Sequence, residues 1–316
     1  MVEVIGGLHP AYDYVRQAIL AGKSIITANK AMVSTFYDDL IPLAEKQGVF
    51  FRCTAAVGGG IGWLSELERV RRAERIRQVG GIMNGTCNYI LDFMSRYGLT
   101  YGDTLRQAQE LGYAEADPST DVDGIDTWHK LIVSANIAFG VSLCKEDIPV
   151  AGISRIRAED VINFKSHGLV CKLISTAKAQ AGNFSAYVQP TLFPVGEPEA
   201  AVPANYNLIT LVGNTSGRQS FLGQGAGRYP TAYNVLQDCV DFLRGNGFYG
   251  PCGEPVLVNN WEKYSYYVRG DKDDWLAQVT NDVWGRAVIT RPVSVVQMHQ
   301  WLKEHPDTFI AAMPQA

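Results

Sequence analysis

Ser24-Ile25-Ile26-Thr27-Ala28-Asn29-Lys30 is a short apolar strand that runs straight into a turn and then into a helical pattern. Upstream, Gly22 stops a helical pattern that begins near Pro10 and reaches Leu20, and before it Val2-Glu3-Val4-Ile5 is an apolar run closed by Gly6-Gly7. Downstream, residues 30–47 are helical in pattern, Gly48 ends them, and Val49-Phe50-Phe51-Arg52-Cys53 is a third strand. Strand, helix, strand, helix, strand with such short connections predicts parallel strands joined by helical crossovers. A doubly wound dinucleotide domain opens with a strand, a G-x-G-x-x-G turn and a helix N-terminus that holds the pyrophosphate. No such run precedes Gly6, and neither Gly58-Gly59-Gly60-Ile61-Gly62 nor Gly223-Gln224-Gly225-Ala226-Gly227 has that spacing. Residues 1–62 are therefore expected to form the second half of a Rossmann-like sheet, without the part that carries the fingerprint.

From residue 63 the pattern becomes mixed. Helical stretches around 63–72, 88–97, 103–111 and 124–139 alternate with strand-like 76–83, and a long helix is expected over 158–180 with a break near Gly168. Strand candidates 184–190, 207–214 and 219–223 and a helix over 231–244 come next, the order of an antiparallel sheet covered by helices. The Pro- and Ala-rich stretch 191–204 is the expected flexible loop. Residues 63–260 are thus read as one α+β unit. Residues 261–316 are read as a short α/β extension with strands at 264–269, 286–290 and 307–312 and helices at 274–283 and 293–304.

The chain has 316 residues, 47% of them apolar and 19% charged, with a net charge of −4. Such a chain can bury two cores, and its charge gives no bulk attraction to nucleic acid or anionic lipid. Arg69-Val70-Arg71-Arg72, flanked by Glu66, Glu68 and Glu74, reads as a solvated helix face. Six cysteines, Cys53, Cys87, Cys144, Cys171, Cys239 and Cys252, fall in no C-x-x-C pair. Scattered thiols without zinc spacing fit a reducing compartment. No apolar run approaches a membrane span and no signal-peptide pattern opens the chain. A cytoplasmic enzyme is expected.

The segment richest in chemistry is Gly112-Tyr113-Ala114-Glu115-Ala116-Asp117-Pro118-Ser119-Thr120-Asp121-Val122-Asp123-Gly124-Ile125-Asp126-Thr127-Trp128-His129-Lys130. A helix starting near Gly124 places Asp126 and Lys130, four apart, on one face. A calcium loop fails, because alignment on Gly124 puts Lys130 where a bidentate Glu is required. An acidic helix N-terminus accounts for Asp121 and Asp123 but less well for Glu115, Asp126 and Lys130, so residue types alone leave a structural and a catalytic reading open. A lysine among acids suits a proton shuttle, and the same acids suit a substrate ammonium. Lys30 comes just after a strand end, where ligands of open parallel sheets sit; a plain surface lysine is the alternative. Asn84-Gly85-Thr86 leads from a strand into a helix whose free N–H groups suit a carboxylate, or is a simple capped turn. The glycines at 58–60 and 223–227 allow close backbone approach to a ligand or a sharp loop.

In this order the segments resemble the homoserine dehydrogenase family. The likeness runs from Val4-Ile5-Gly6-Gly7 to about Leu243, through Gly22-Lys23, Thr27-Ala28-Asn29-Lys30-Ala31, Asn84-Gly85-Thr86, Gly112 to Lys130, and Gly223 to Ala232. The resemblance implies NAD- or NADP-dependent interconversion of L-homoserine and L-aspartate 4-semialdehyde by a homodimer. It assigns proton transfer to Lys130, with Lys30 and Asp126 also in the catalytic set. Glu115, Asp121, Asp126, Gly112, Asn84 and Thr86 would hold the amino-acid substrate. Gly6, Gly7, Lys30, Gly112 and Gly225 would line the cofactor cleft, and the carbonyls of Val57, Gly59 and Ile61 would ligate sodium. Thr54 stands where the family usually offers that cation a glutamate, and Gly62 where it has proline. Tyr266-Tyr267-Val268-Arg269 resembles the entry strand of an ACT domain, but the residues after it are expected to form only a truncated ACT-like remnant. A substrate-binding or redox-neutral protein without dinucleotide chemistry is the alternative function.

Overall fold

The computed structural model describes residues 1–245 and 253–313. It begins with β1 (Val2–Glu3), α1 (Ala11–Leu20), β2 (Ile25–Thr27), α2 (Lys30–Thr35), α3 (Tyr37–Gln47) and β3 (Phe51–Arg52). The three strands are parallel in the order β1-β2-β3, as the short crossovers require. Residues 30–47 form two helices where one was expected. β-Branched Val33 and Thr35 weaken the helix there, and Phe36 leaves helical geometry at φ −116° to stack on Tyr12 with 4.0 Å between ring centroids.

The next elements are α4 (Trp63–Arg71), β4 (Ile76–Ile82), α5 (Gly85–Tyr97), α6 (Tyr101–Glu110), α7 (Ser119–Val122), α8 (Ile125–Phe139), β5 (Ser142–Leu143) and α9 (Ala158–Ser166). Then come β6 (Leu169–Gln180), β7 (Asn183–Pro194), β8 (Tyr206–Gly213), β9 (Gly217–Gln224), α10 (Arg228–Leu243) and β10 (Pro255–Val256). Strands β7-β6-β4-β8-β9 run antiparallel in that order. The expected long helix over 158–180 is the largest departure: only 158–166 is helical, and β6 comes after it. Strands β6 and β7 pair over all 12 residues through a turn with Ala181 at φ 49° and Gly182 at φ 81°. Positive φ at both central residues is the hairpin geometry that matches strand twist. Val170, Ile174 and Thr176 suit that long-range pairing, which overrides the local helical pattern. The 191–204 stretch is also tied down: Asn88 Nδ2 donates to the Ala204 carbonyl at 2.8 Å and Lys172 Nζ to the Val202 carbonyl at 2.8 Å.

The tail holds β11 (Lys263–Arg269), α11 (Asp274–Val279), β12 (Thr280–Trp284), β13 (Ala287–Thr290), β14 (Val293–Ser294), α12 (Val295–Glu304) and β15 (Phe309–Met313). Apart from the two-residue β14, this is a β-α-β-β-α-β series in the sheet order β12-β13-β11-β15. Strand β12 stands at Thr280–Trp284, where the sequence pattern predicts helix through residue 283. Leu276, Val279, Met298 and Trp301 from the two helices pack with Tyr266, Val268, Val288 and Ile310 in a core of their own. On the other face Tyr267 and Phe309 join the main core beside Phe164 of α9. Strand β15 lies parallel to β7, so the tail strands and the central strands form one ten-stranded sheet. A buried ion pair reinforces the junction: Arg269 Nε donates to Asp160 Oδ1 at 2.7 Å.

The main core centres on α5 and α8 against β4 and β6. Helix α8 is buried along nearly all its length, so its few polar residues stand out as functional candidates. Among the described residues no helix is long and apolar enough to cross a membrane, and no group of three or more His, Cys, Asp or Glu is placed to hold a metal ion. The five described cysteines are free thiols; Cys252 lies outside the described residues.

Candidate active site

Helix α8 starts at Gly124, whose φ of +87° and close approach to Val150 (a Cβ would sit 2.9 Å from Cγ1) exclude a side chain. The turn at Gly124 lets the chain leave α7 and begin α8 at once. Asp126 then falls in the first turn and Lys130 one turn later on the same face. Both are buried, with side chains 7% and 8% exposed, and Lys130 Nζ lies 2.7 Å from Asp126 Oδ2. Lys30 opens α2 at the carboxyl end of β2 and reaches the other oxygen, Asp126 Oδ1, at 3.1 Å. Two lysines 100 positions apart in sequence therefore share one carboxylate. Lys30 remains 36% exposed, so the cluster opens to solvent on that side.

Asn84 completes the floor. As the cap of α5 it accepts the Cys87 N–H at 2.8 Å through Oδ1. Its Nδ2 donates to Asp121 Oδ1 at 2.6 Å and to Asp126 Oδ2 at 2.9 Å. The capped turn is thus present, and the same side chain also joins Asp121 to Asp126. Lys130 also donates to the Met83 carbonyl at 2.8 Å. An ammonium has three N–H donors; with Asp126 and Met83 taking two, one is left for a substrate oxygen. Thr86 Oγ1 donates to the Tyr113 carbonyl at 2.6 Å, tying α5 to the acidic segment.

Burial opposes ionisation of Asp126, but Lys130 and Lys30 outweigh it and, with the hydrogen bonds from Lys130 and Asn84, hold this carboxyl far below the usual carboxylate range. Asp126 raises the pKa of Lys30 against the opposing effect of burial, with smaller contributions from Asp121 and Glu115. Asp121 is pushed up by burial and then by Asp126. Glu115 is exposed and acts on Lys30 only through its charge. Burial, then Asp121 and Asp126, drive the Cys87 thiol well above its ordinary value, which keeps it protonated and excludes it as a nucleophile.

At the mouth, buried Glu3 accepts the Thr27 hydroxyl at 2.5 Å and the Ile5 N–H at 2.7 Å. Asn29 Nδ2 donates to the Gly7 carbonyl at 2.8 Å. The loops after β1 and β2 are thereby fixed to each other beside Lys30.

A family model described as homoserine dehydrogenase matches residues 63–240. The homoserine dehydrogenase of Synechocystis sp. is 39% identical over 247 residues, covering 77% of this chain and 57% of that protein. Among solved structures, the homoserine dehydrogenase of Thiobacillus denitrificans aligns with a TM-score of 0.86 and 30% identity over 99% of this chain and 81% of that one. This chain belongs to the homoserine dehydrogenase family. It spans less than two thirds of the length of the curated homoserine dehydrogenases matched first: 57%, 63% and 60%. A hyperthermophilic archaeal homoserine dehydrogenase mutant solved in complex with NADPH aligns at TM-score 0.66 and 26% identity, over 77% of this chain and 72% of that one.

The glycines named from the homoserine dehydrogenase resemblance separate into two kinds. Gly6, Gly7 and Gly112 have no atom within 4 Å of where a Cβ would sit and adopt φ of +81°, +69° and +74°, so backbone conformation and not packing favours glycine there. Gly225 is different: a Cβ there would strike the buried Asn207 amide at 1.9 Å, so protein packing alone requires glycine. The sodium donors fit poorly. The Gly59 carbonyl already accepts a hydrogen bond from Asn234 Nδ2, and Thr54 Oγ1 is committed to Asp238 at 2.6 Å, with the Thr54 N–H on the same carboxylate at 3.0 Å. Helix α10 therefore already takes one of the three carbonyl donors, that of Gly59, and no chemical step is assigned to a cation.

Three contributors escaped the sequence reading. Met83 offers a backbone carbonyl, which no side-chain pattern reveals. Glu3 lies within a strand and gave no motif. His129 Nδ1 and Ser34 Oγ lie 2.6 Å apart and tie α8 to the helix that carries Lys30. The adjacency of His129 to Lys130 was the one available signal.

Proposed function

We propose that this site interconverts L-homoserine and L-aspartate 4-semialdehyde with a nicotinamide dinucleotide as hydride partner. The observation that carries the reading is the single buried carboxylate, Asp126, held between Lys130 and Lys30 at the carboxyl end of a parallel sheet. The dinucleotide supplies the hydride acceptor for oxidation and the donor for reduction. In the reductive direction the remaining Lys130 N–H donates to the aldehyde oxygen as that oxygen gains negative charge. In the oxidative direction the neutral amine takes the hydroxyl proton. Asp126 and Met83 O orient that nitrogen throughout. Asp121, Asn84 and Thr86 lie on the side suited to the substrate's amino-acid end, with Glu115 adding negative charge for its ammonium. In this reading the nicotinamide lies beside Lys30, with Gly6, Gly7 and Gly112 lining its side of the site. The NADPH carried by the archaeal relative supports NADP, and NAD is the second candidate.

The test is to incubate the chain with L-homoserine and either NAD or NADP and follow absorbance of the reduced nicotinamide. Homoserine-dependent reduction, lost in Lys130→Ala, is expected. Homoserine binding with no reduced nicotinamide from either cofactor would instead support a redox-neutral binding protein. We also propose a homodimer through the central sheet, supported by a hollow of about 510 Å³ on β4, β6, β7 and β8 lined by Ile174, Thr176, Phe193 and Val212. Sedimentation equilibrium showing only monomer would refute it. The β-α-β-β-α-β order of residues 263–313 supports an ACT-like reading of the tail.

A further inference from the structure

The arginine-rich stretch after the glycine loop is not simply a solvated helix face. Arg69 does pair along its helix with Glu66, at 2.5 Å. Beyond it, Arg71, Arg72, Arg75 and Arg77 gather around a cleft of about 740 Å³, floored by Phe139 and Phe184. This volume is in the range of small-molecule sites. The chain as a whole carries a net charge of −4, yet this wall of seven residues, 71–77, holds four arginines and one carboxylate. That carboxylate, Glu74, is turned to the β8–β9 turn, where it accepts the Thr215 N–H at 2.5 Å and the Ser216 N–H at 3.2 Å. Among the described residues Arg72, Arg75 and Arg77 are exposed and make no ion pair within 4.0 Å, although Arg77 lies close enough to favour the Glu74 carboxylate and donates from Nη2 to the Gly213 carbonyl at 3.5 Å. Clustered guanidinium groups of one sign repel each other unless an anion sits among them, and their planar forks match phosphate oxygens in bidentate fashion.

The cleft also touches the catalytic helix. Arg71 Nη1 donates to the Ile137 carbonyl at 2.9 Å, and its guanidinium lies so close to Gly140 that a Cβ there would sit 2.3 Å from Nη2. Arg71 therefore closes the C-terminal end of α8, the end rich in unpaired carbonyls. Ile137 is seven residues beyond Lys130, roughly 10 Å along the helix axis. Phe139 and Phe184, with ring centroids 6.1 Å apart, give the cleft an apolar platform beside its charges.

We infer that this cleft is a second binding site, for a phosphorylated small molecule, placed at the far end of the helix that carries Asp126 and Lys130. The phosphate groups engage Arg72, Arg75 and Arg77, and any planar or apolar portion rests on Phe139 and Phe184. An occupant that draws Arg71 toward itself withdraws the cap from α8.

The experiment is isothermal titration of the chain with inorganic diphosphate and, separately, with ATP. Two double variants of equal charge change serve as comparison: Arg72→Glu with Arg75→Glu, and Lys165→Glu with Lys303→Glu, the latter on exposed positions of α9 and α12. Saturable one-to-one heat is expected from at least one probe. The affinity should weaken about tenfold or more in the arginine variant, stay unchanged in the lysine variant, and fall with added salt. Binding of diphosphate alone would mean that the arginines suffice; binding of ATP alone would mean that the aromatic platform is needed. Circular dichroism confirms that both variants fold, since all four side chains are exposed. Absence of saturable heat from both probes, or equal loss in the two variants, would overturn the inference. Salt-sensitive self-association without small-molecule binding would likewise overturn it, by showing that the arginines meet an acidic face of a second copy.

Discussion

Replacing Asp126 by Asn removes one negative charge and leaves two ammonium groups, at 2.7 and 3.1 Å, without their shared counter-ion. Lys130 is buried, so its loss is the larger. Breaking a buried pair by removing one partner costs about 3–5 kcal/mol, and the retained Asn oxygen offsets part of that by accepting a hydrogen bond. Lys30 is a third exposed, and solvent reduces its share to under about 1 kcal/mol. The expected loss of stability is about 3 kcal/mol, or roughly 5 °C in Tm at about 2.1 cal/mol/K of unfolding entropy per residue over the 316-residue chain. Activity should fall further than stability alone requires. Without the carboxylate, Lys130 loses the partner that aims its last free N–H, and aligned proton transfer contributes about 10²–10⁴ in rate. The assay is steady-state homoserine oxidation across pH, beside thermal unfolding of the same preparation. Asp126 is the main cause of the raised pKa of Lys30, so the limb of the rate profile that reports loss of the Lys30 charge should move to lower pH. A variant with kcat within threefold of the parent, an unmoved profile and an unchanged Tm would refute the assignment of Asp126 as the hub.

Ser34→Ala cuts the 2.6 Å link between α2 and His129. With one hydrogen bond worth about 1 kcal/mol, kcat/KM should fall about fivefold and Ser34→Thr should restore it; unchanged kinetics would show that the link does not position Lys30. Burial, with a smaller push from Lys303, takes the pKa of His299 from 6.5 down to about 4. The unfolded chain therefore binds a proton between these values while the folded chain does not. Stability is complete above pH 6.5 and falls by about 2 kcal/mol on reaching pH 5. Urea unfolding at pH 7 and pH 5 should show this loss in the parent and much less in His299→Gln; equal losses would remove His299 as the cause.

The local placement of the candidate residues was readable: the helical period puts Asp126 and Lys130 on one face and Lys30 follows a strand end, while their selection as one site rested on the family resemblance. Their convergence was not readable, since nothing local joins Lys30 to residue 126. The small parallel sheet was evident from its short connections, whereas β6 was not. Its helical pattern is overridden by twelve residues of pairing with a partner strand, information that lies outside the segment. Strand β12 was lost for a similar reason, because helix and strand adjoin at Val279 and Thr280 with no glycine or proline between them. The loop at 191–204 looked free because proline and alanine say nothing about Asn88 and Lys172, which hold it from other elements.

The parallel seam between β15 and β7 means that the end of the chain is an interior member of a sheet, not an appendage. Trimming the protein before residue 263 would remove the pairing of Ala312 with Thr191 and uncover that part of the β7 edge, whose N–H and C=O groups then invite intermolecular strand addition. The tail thus doubles as a guard against self-assembly, whatever else it does.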